Sequence, residues 1–375
     1  MTILHGDCRT QLANLPDCSV DAIVTDPPYE LGFMGKKWDA SGIAYDPTVW
    51  AECLRVLKPG GHLLAFGGTR TYHRMTVAIE DAGFEIRDSL HWLYGSGFPK
   101  SHNLKGEFGG WGTALKPAHE PIVLARKPLV GTVAANVMAY GTGALNIDAT
   151  RVAAPDGVPV FIQKGGPSQH AYGDGLNGSQ STGTMDTTTG RWPANLILTH
   201  SPDCHTECVS ECPVAALNTQ SGTTKSTART GPPGGSTFGG GAMNADTGTW
   251  YGDSGGASRF FTTTEWDPQI DVPFLYVAKP SRRERNAGLD GTNGHPTVKP
   301  VALMRHLVRL VTPPGGTVLD PFLGSGTTAV AATLEGFAWI GCELTDDYLP
   351  IIEARVAWAE QNRPEPELTL FTEQP

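Results

Sequence analysis

Two short segments, far apart in the chain, hold residues whose types and spacing can do chemistry. The first is Asp26-Pro27-Pro28-Tyr29, directly after the run Asp21-Ala22-Ile23-Val24-Thr25. A carboxylate at Asp26 is a hydrogen-bond acceptor. The prolines fix backbone φ, so the main-chain carbonyl between them is held as a second acceptor. Tyr29 adds an aromatic face. Such a set suits a flat group that presents N–H donors, held by position and electrostatics rather than by a covalent bond. The plain alternative is a Pro-Pro turn that closes a strand, with Asp26 as its cap.

The second segment runs Val318-Leu319-Asp320-Pro321-Phe322-Leu323-Gly324-Ser325-Gly326-Thr327-Thr328, a strand that enters a glycine turn and then a helix. Glycines there let a ligand approach the backbone, and the free N–H groups of the helix start favour an anion. Glu343 ends the next strand, about twenty residues on, where an acidic side chain commonly binds ribose hydroxyls. A dinucleotide loop fits less well, because Ala329 stands where the third glycine of G-x-G-x-x-G belongs.

Taken together and in this order, the segments resemble the amino-methyltransferases that modify DNA bases with S-adenosylmethionine (SAM), in the permuted β-class. The resemblance extends to the lead-in Gly6-Asp7-Cys8, Leu12, Leu15-Pro16-Asp17 and Ser19-Val20-Asp21, and to His295-Pro296-Thr297-Val298-Lys299-Pro300 before the glycine turn. It covers about 1–127 and 293–360. It implies an α/β SAM-dependent fold: a seven-stranded, mostly parallel sheet with one antiparallel strand, and helices on both faces. It implies methyl transfer to adenine N6 in double-stranded DNA, with cytosine N4 as the close alternative. Asp26, Pro27, Pro28 and Tyr29 would then be catalytic. Asp7, Cys8, Lys299, Asp320, Phe322, Gly324, Ser325, Gly326, Thr327 and Glu343 would hold SAM, with Asp7 at its adenine, Glu343 at its ribose, and Lys299 or Thr297 at its carboxylate. The target base must leave the duplex to reach such a site. Phe33, Met34, Trp38 and Tyr45 are candidates to line its pocket, core packing being the alternative for each. His119 and Glu120, in Trp111 to Pro121, read as structural hydrogen-bonding groups in preference to substrate contacts. A regulator without turnover, or an RNA or protein amide methyltransferase, fits these motifs less well.

The elements that must position these residues alternate. Strands are expected at Ser19 to Thr25, His62 to Gly67, Phe84 to Trp92 and Pro121 to Ala125, with helices at Thr48 to Leu57 and Tyr72 to Ala82. The pattern resumes with a helix from Lys299-Pro300 through Val311, the strand to Asp320, a helix over Thr327 to Glu335, the strand Ala338 to Glu343 and a helix over Asp346 to Glu360. Short apolar strands between helices indicate a parallel sheet covered on both faces. Residues 1–127 and 291–362 therefore read as two halves of one catalytic domain. Residues 128–290 read as a loop-rich insertion, a separate lobe for target recognition, with glycine- and serine-rich stretches at Gln163 to Gly190 and Thr219 to Ser258 and a strand in Arg191 to His200. Residues 363–375 read as a mobile tail.

The net charge of −10 over 375 residues argues mildly against a chain coated for nucleic acid, although DNA binding needs only a local basic surface. Candidate stretches are Lys279 to Arg309 and Lys100 to Lys127, each with ordinary solvated faces as the alternative. No stretch is long and apolar enough to span a membrane, and the seven cysteines are odd in number, so the expectation is a cytoplasmic protein with reduced thiols. His200, Cys204, Cys208 and Cys212 recur every four residues, with His205 beside them. Thiolate and imidazole suit zinc. Four such residues along one helix extend too far to meet at one ion, Pro202 and Pro213 oppose a continuous helix, and a folded loop is needed to gather them. The reading therefore assigns no metal and keeps zinc as the lesser alternative to buried thiols. Many members of the class pair into homodimers, which no residue here demonstrates. The recognition sequence and any restriction endonuclease partner are not readable from the chain.

Overall fold

Val20–Thr25 is buried at every position, the signature of a strand covered on both faces and paired on both sides. In the computed structural model of the chain it lies near the middle of a nine-stranded sheet. The structure describes residues 1–32, 37–94, 101–152, 160–162, 184–186, 191–200, 204, 208–209, 212–225, 254–264, 288–289 and 298–363. The strands are β1 Thr2–His5, β2 Val20–Thr25, β3 Leu57–Phe66, β4 Glu85–Leu93, β5 His119–Arg126, β6 Leu196–Thr199, β7 Thr262–Thr264, β8 Thr317–Asp320 and β9 Ala338–Glu343. Their spatial order is β1-β9-β8-β2-β3-β5-β4-β6-β7. Only β5 runs against its neighbours, so the sheet is parallel apart from one strand.

The two chain ends interleave. β8 pairs with β2 in the register Val318↔Ala22 and Leu319↔Ile23, and β1 lies beside β9. Residues alternate across the sheet. Ala22, Val24, Leu64 and Phe66 pack with helices α6 (Val301–Val311), α7 (Thr327–Glu335) and α8 (Leu349–Gln361) through Leu303, Met304, Ala329 and Ile352. Ile23, Leu63 and Ala65 face the other way, onto α1 (Cys8–Ala13), α2 (Pro47–Val56) and α3 (Tyr72–Asp81) through Leu12, Trp50, Cys53 and Ile79. This is the period-two pattern of strands between two helical layers.

Two expectations need correction. β3 begins at Leu57, before the expected strand start at His62, because the register against β2 jumps from Val20↔Leu57 to Ala22↔His62 and the residues between bulge within the strand. Asn136, fully buried on α4 (Val133–Tyr140), secures the bulge by donating to Pro59 O at 2.8 Å. The middle region is also not a wholly separate lobe. β6 adds to β4 and β7 adds to β6, both in parallel, so it extends the sheet from seven strands to nine. Most of Gln163 to Gly190 and Thr219 to Ser258, together with residues 364–375, lies outside the described residues.

In the basic stretches Lys105 and Lys116 are exposed, whereas other described cations are held by partners or buried. Arg126 binds Glu85 at 2.6 Å, and Lys127 donates to Leu57 O at 2.6 Å. Arg305 and Arg309 both meet Glu335, and Lys299 is buried. Lys100, Lys279, Arg282, Arg283 and Arg285 fall outside the described residues. Among the described residues no helix is long and apolar enough to cross a membrane.

Candidate active site

Parallel strands deliver their carboxyl ends to one edge of a sheet, and ligands bind there. Four adjacent strands end at that edge in acidic residues: Asp7 just after β1, Glu343 at the end of β9, Asp320 at the end of β8 and Asp26 just after β2. One cleft is lined by all four, together with Cys8, Pro28, Trp38, Ile43, Lys299, Phe322, Gly324, Ser325 and Thr327. β5, running backwards, brings its first residues to the same edge and so adds Glu120.

At the Asp26 end, Lys299 is the hub. Its ammonium lies 2.9 Å from Asp26 Oδ2, 3.1 Å from Glu120 Oε2 and 3.0 Å from the Tyr29 hydroxyl, and 4.8 Å from the centre of the Phe66 ring. Tyr29 donates its hydroxyl to Glu120 Oε2 at 2.7 Å. Burial pulls the Lys299 ammonium down, but the carboxylates of Asp26 and Glu120 outweigh it and hold the lysine above its ordinary range. Burial pushes the Asp26 carboxyl up, against the pull of Lys299. Asp26 thus has one oxygen on the lysine, while Oδ1 is buried with no hydrogen-bond partner among the described residues. A buried acceptor left open beside a cleft is completed by a donor from a ligand.

The backbone around this group is held by Asp39. That side chain is 2% exposed and accepts from the N–H groups of Tyr29 at 2.8 Å, Glu30 at 3.1 Å and Leu31 at 3.3 Å. Thr71 Oγ1 donates to Tyr29 O at 2.8 Å. The segment after the prolines is therefore fixed by side chains before any ligand arrives.

At the other end, Asp320 bolts the glycine turn to the sheet. It accepts from Thr25 Oγ1 and Thr328 Oγ1, each at 2.6 Å, and from Phe322 N at 3.0 Å. Burial pushes its carboxyl up to about 6 despite these donors. Glu343 accepts from Gly324 N at 2.8 Å and from Thr345 N at 2.7 Å, one on each oxygen, which leaves acceptor capacity toward the cleft. Gly326 has φ +79°, the left-handed region, and a Cβ there would stand 3.0 Å from Ile352 Cγ2. It is the N-cap of α7 and offers no side-chain cap, so the first-turn N–H groups await an acceptor. Asp7 caps α1 and binds Arg9 at 2.5 Å, and that hydrogen bond holds its carboxyl below the usual range.

A family model described as DNA methylase, of the N6/N4 type, matches residues 20–354. The chain belongs to this family. The type II methyltransferase M.ScaI of Streptomyces caespitosus is 39% identical over 79 residues, which are 21% of this chain and 24% of that protein. The chain spans less than a third of the length of the curated relatives it matches. Among solved structures, the PvuII DNA methyltransferase (cytosine-N4-specific) is 14% identical, with a TM-score of 0.46, over 94% of this chain and 85% of that one. M1.HpyAVI is 16% identical, with a TM-score of 0.40, over 95% and 98%.

For this methylase-family chain, the structure brings Asp26, Pro28, Asp7, Cys8, Asp320, Phe322, Gly324, Ser325, Thr327, Glu343 and Lys299 to one cleft. Lys299 lines this cleft at its Asp26 end. Its ammonium is engaged by Asp26, Glu120 and Tyr29 rather than awaiting a cofactor carboxylate. Glu120, read as structural, stands in the Asp26 group, whereas His119 packs on His91 with ring centres 5.5 Å apart. Trp38 lines the cleft, Tyr45 packs beneath α2 and α3, and Phe33, Met34 and Thr297 lie outside the described residues. Sequence reasoning missed Asp39 and Arg355. Arg355 is 1% exposed and donates to Ser325 O at 2.6 Å, Ser325 Oγ at 3.0 Å and Thr327 Oγ1 at 3.1 Å. Its signal was present: it sits four residues after Ile351 and one before Val356, on the buried face of α8.

Proposed function

We propose that the chain transfers a methyl group from SAM to the exocyclic N6 amine of adenine in double-stranded DNA after flipping the base. The observation that carries this reading is Asp26 Oδ1: buried, without a hydrogen-bond partner among the described residues, on a side chain that lines the same cleft as the glycine turn and Glu343. SAM, when bound, supplies a methyl group made electrophilic by its sulfonium. The residues present fit that cofactor. The uncapped start of α7 suits its carboxylate, Glu343 suits its ribose hydroxyls, and the acidic row suits its positive charge.

The chain's own part is to make a poor nucleophile usable. An exocyclic amine shares its lone pair with the ring. Asp26 Oδ1 accepts one amino hydrogen and favours the pyramidal nitrogen, whose lone pair is free to attack. Lys299 favours the ionised form of Asp26 against the opposing effect of burial and fixes its orientation. The attacked nitrogen must then lose a proton, and the Asp26 carboxylate, pushed up by burial, is the acceptor beside it. Asp39 and Thr71 hold the backbone of the tetrapeptide still, which is positioning catalysis.

A nucleic-acid partner is supported by the loop between β4 and β5, which emerges at the same edge. Its described part exposes Phe108, Trp111 and Leu115, with Lys105 and Lys116 alongside. Exposed apolar and basic residues together suit a base stack and its phosphates. The middle region, attached through β6, is the proposed target-recognition segment.

The test is nucleoside mass spectrometry of unmethylated DNA incubated with protein and SAM. N6-methyladenine is expected, and Asp26→Ala should abolish it while SAM affinity by calorimetry stays. N4-methylcytosine instead would change the base and keep the mechanism. Turnover near wild type in Asp26→Ala would refute the assignment.

A further inference from the structure

His200, Cys204, Cys208 and Cys212 meet at the carboxyl end of β6. Their ligand atoms all lie within 4.8 Å of one another. His200 Nδ1 stands 3.3 Å from Cys208 Sγ and 3.5 Å from Cys212 Sγ. Tetrahedral zinc, with Zn–S about 2.3 Å and Zn–N about 2.0 Å, places its nitrogen and sulfur ligands about 3.6 Å apart. The spacing found is close to that. We infer that these four residues form a structural zinc site.

The objection from sequence was geometric, since four residues at intervals of four on one helix cannot converge. The chain avoids it. His200 closes a strand, and helix α5 (Pro213–Ser221) begins only after Cys212. Cys212 is the N-cap of that helix, so the strand end at His200 and the helix start at Cys212 bring two of the ligands together. Three thiols and an imidazole fill a tetrahedron with no position open, the mark of a structural rather than a catalytic zinc. The donor set is soft and sulfur-rich, which excludes calcium and magnesium as its natural occupants.

The surroundings agree. Cys204 and Cys212 are buried, in a small apolar cluster with Leu198 and Val214 that also takes in Leu93 and Phe261. Cys208 is exposed and gives an ion its way in. All three thiols are unbridged. The consequence is architectural. β6 is only four residues long and joins the sheet through β4, with Trp92 Nε1 donating to Thr199 Oγ1 at 2.7 Å. Zinc fixes its end to α5 two strands from Glu120, about 10 Å at the usual strand spacing of about 4.8 Å. Nothing in this inference depends on methyl transfer.

The test uses the full chain, expressed with zinc in the medium and purified without chelator. Elemental analysis should find about one zinc per chain, as a closed four-ligand site requires. Cys208→Ser, chosen because this residue is exposed, should lose most of that zinc while keeping wild-type far-UV circular dichroism. Wild-type protein loaded with Co(II) should show tetrahedral ligand-field bands and a thiolate-to-cobalt charge-transfer band, which needs no variant to fold. Absence of both zinc and the cobalt bands in folded, reduced protein would overturn the inference. So would zinc undiminished in Cys208→Ser and His200→Asn, which would place the ion elsewhere, or iron in its stead.

Discussion

Lys299→Met removes the positive centre of the Asp26 group while keeping the length of the side chain. In the wild type, Asp26 Oδ2 lies 2.9 Å from the ammonium, with side chains 22% and 10% exposed. At an effective dielectric of about 20, unit charges at such a distance attract by about 6 kcal/mol before desolvation is subtracted. Glu120 adds a second contact at 3.1 Å. Removing one partner of a buried pair typically costs about 3–5 kcal/mol, because the other charge is left stranded. Here two carboxylates are left facing each other. The variant should therefore be about 3–5 kcal/mol less stable at pH 8, as read from urea denaturation.

The pH dependence of that loss has a definite sign. Lysine stays charged from about pH 5 to about pH 9, since its folded pKa lies above the ordinary value, so it adds no slope in that window. Asp26 is raised in the folded state by burial, which is opposite to the usual aspartate. Between its unfolded and its raised folded pKa the folded form holds a proton that the unfolded chain has released, so stability falls as pH rises from the one to the other. Without Lys299 the window extends upward, and the deficit of the variant should shrink toward acid pH. Turnover should show the same group, requiring a higher pH in Lys299→Met, while SAM affinity by calorimetry changes little. A variant within about 0.5 kcal/mol of wild type at pH 8, with an unmoved pH–rate profile, would refute this account of the group.

Other perturbations separate the parts of the cleft. Gly326→Leu must place a side chain at φ +79° with its Cβ 3.0 Å from Ile352 Cγ2. It should weaken SAM binding at least tenfold by calorimetry, and unchanged affinity would move the cofactor elsewhere. Asp320→Asn should flatten the stability profile between about pH 4 and about pH 6. Its raised pKa of about 6 makes the wild type lose about 3 kcal/mol as pH rises through that range, and an unaltered slope would contradict the burial argument. Arg355→Met removes the Nη1 group that donates to Ser325 O, Ser325 Oγ and Thr327 Oγ1, and should lower SAM affinity with only a small change in turnover at saturation. Asp39→Ala frees three N–H groups and should lower turnover far more than SAM affinity; the reverse pattern would place this loop at the cofactor.

Much of this arrangement was legible because local signals were strong. The helix Thr327–Glu335 and the strand Ala338–Glu343 fall where apolar runs meet glycine, at the bounds read from the sequence. The rest depended on contacts that no window of sequence contains. Leu196–Thr199 reads as a strand, but nothing within four residues says that it pairs with β4 and widens the sheet. Lys299 precedes a helix in a segment near the cofactor loop, and only the packing of α6 against the sheet turns it onto Tyr29, 270 residues earlier. Asp39 resembles any polar loop residue until its three N–H partners are seen. The Cys/His set was visible as a repeat of four that needs a folded loop to gather it, but spacing alone does not say that its ligand atoms come within 4.8 Å of one another.

The interleaving of the chain ends has a consequence for synthesis. Thr25 and Asp320, which bond across 295 residues, belong to neighbouring strands, and β1 finds its partner only in β9. A ribosome must deliver the residues through Asp320 before the central strands can close, and such distant pairing folds slowly. Until then β2, buried at every residue in the finished protein, presents an open apolar edge. A product cut short before residue 317 is therefore not a smaller, idle enzyme but a half-sheet primed to stick to others of its kind. Activity and solubility should appear together, once β8 and β9 have been made.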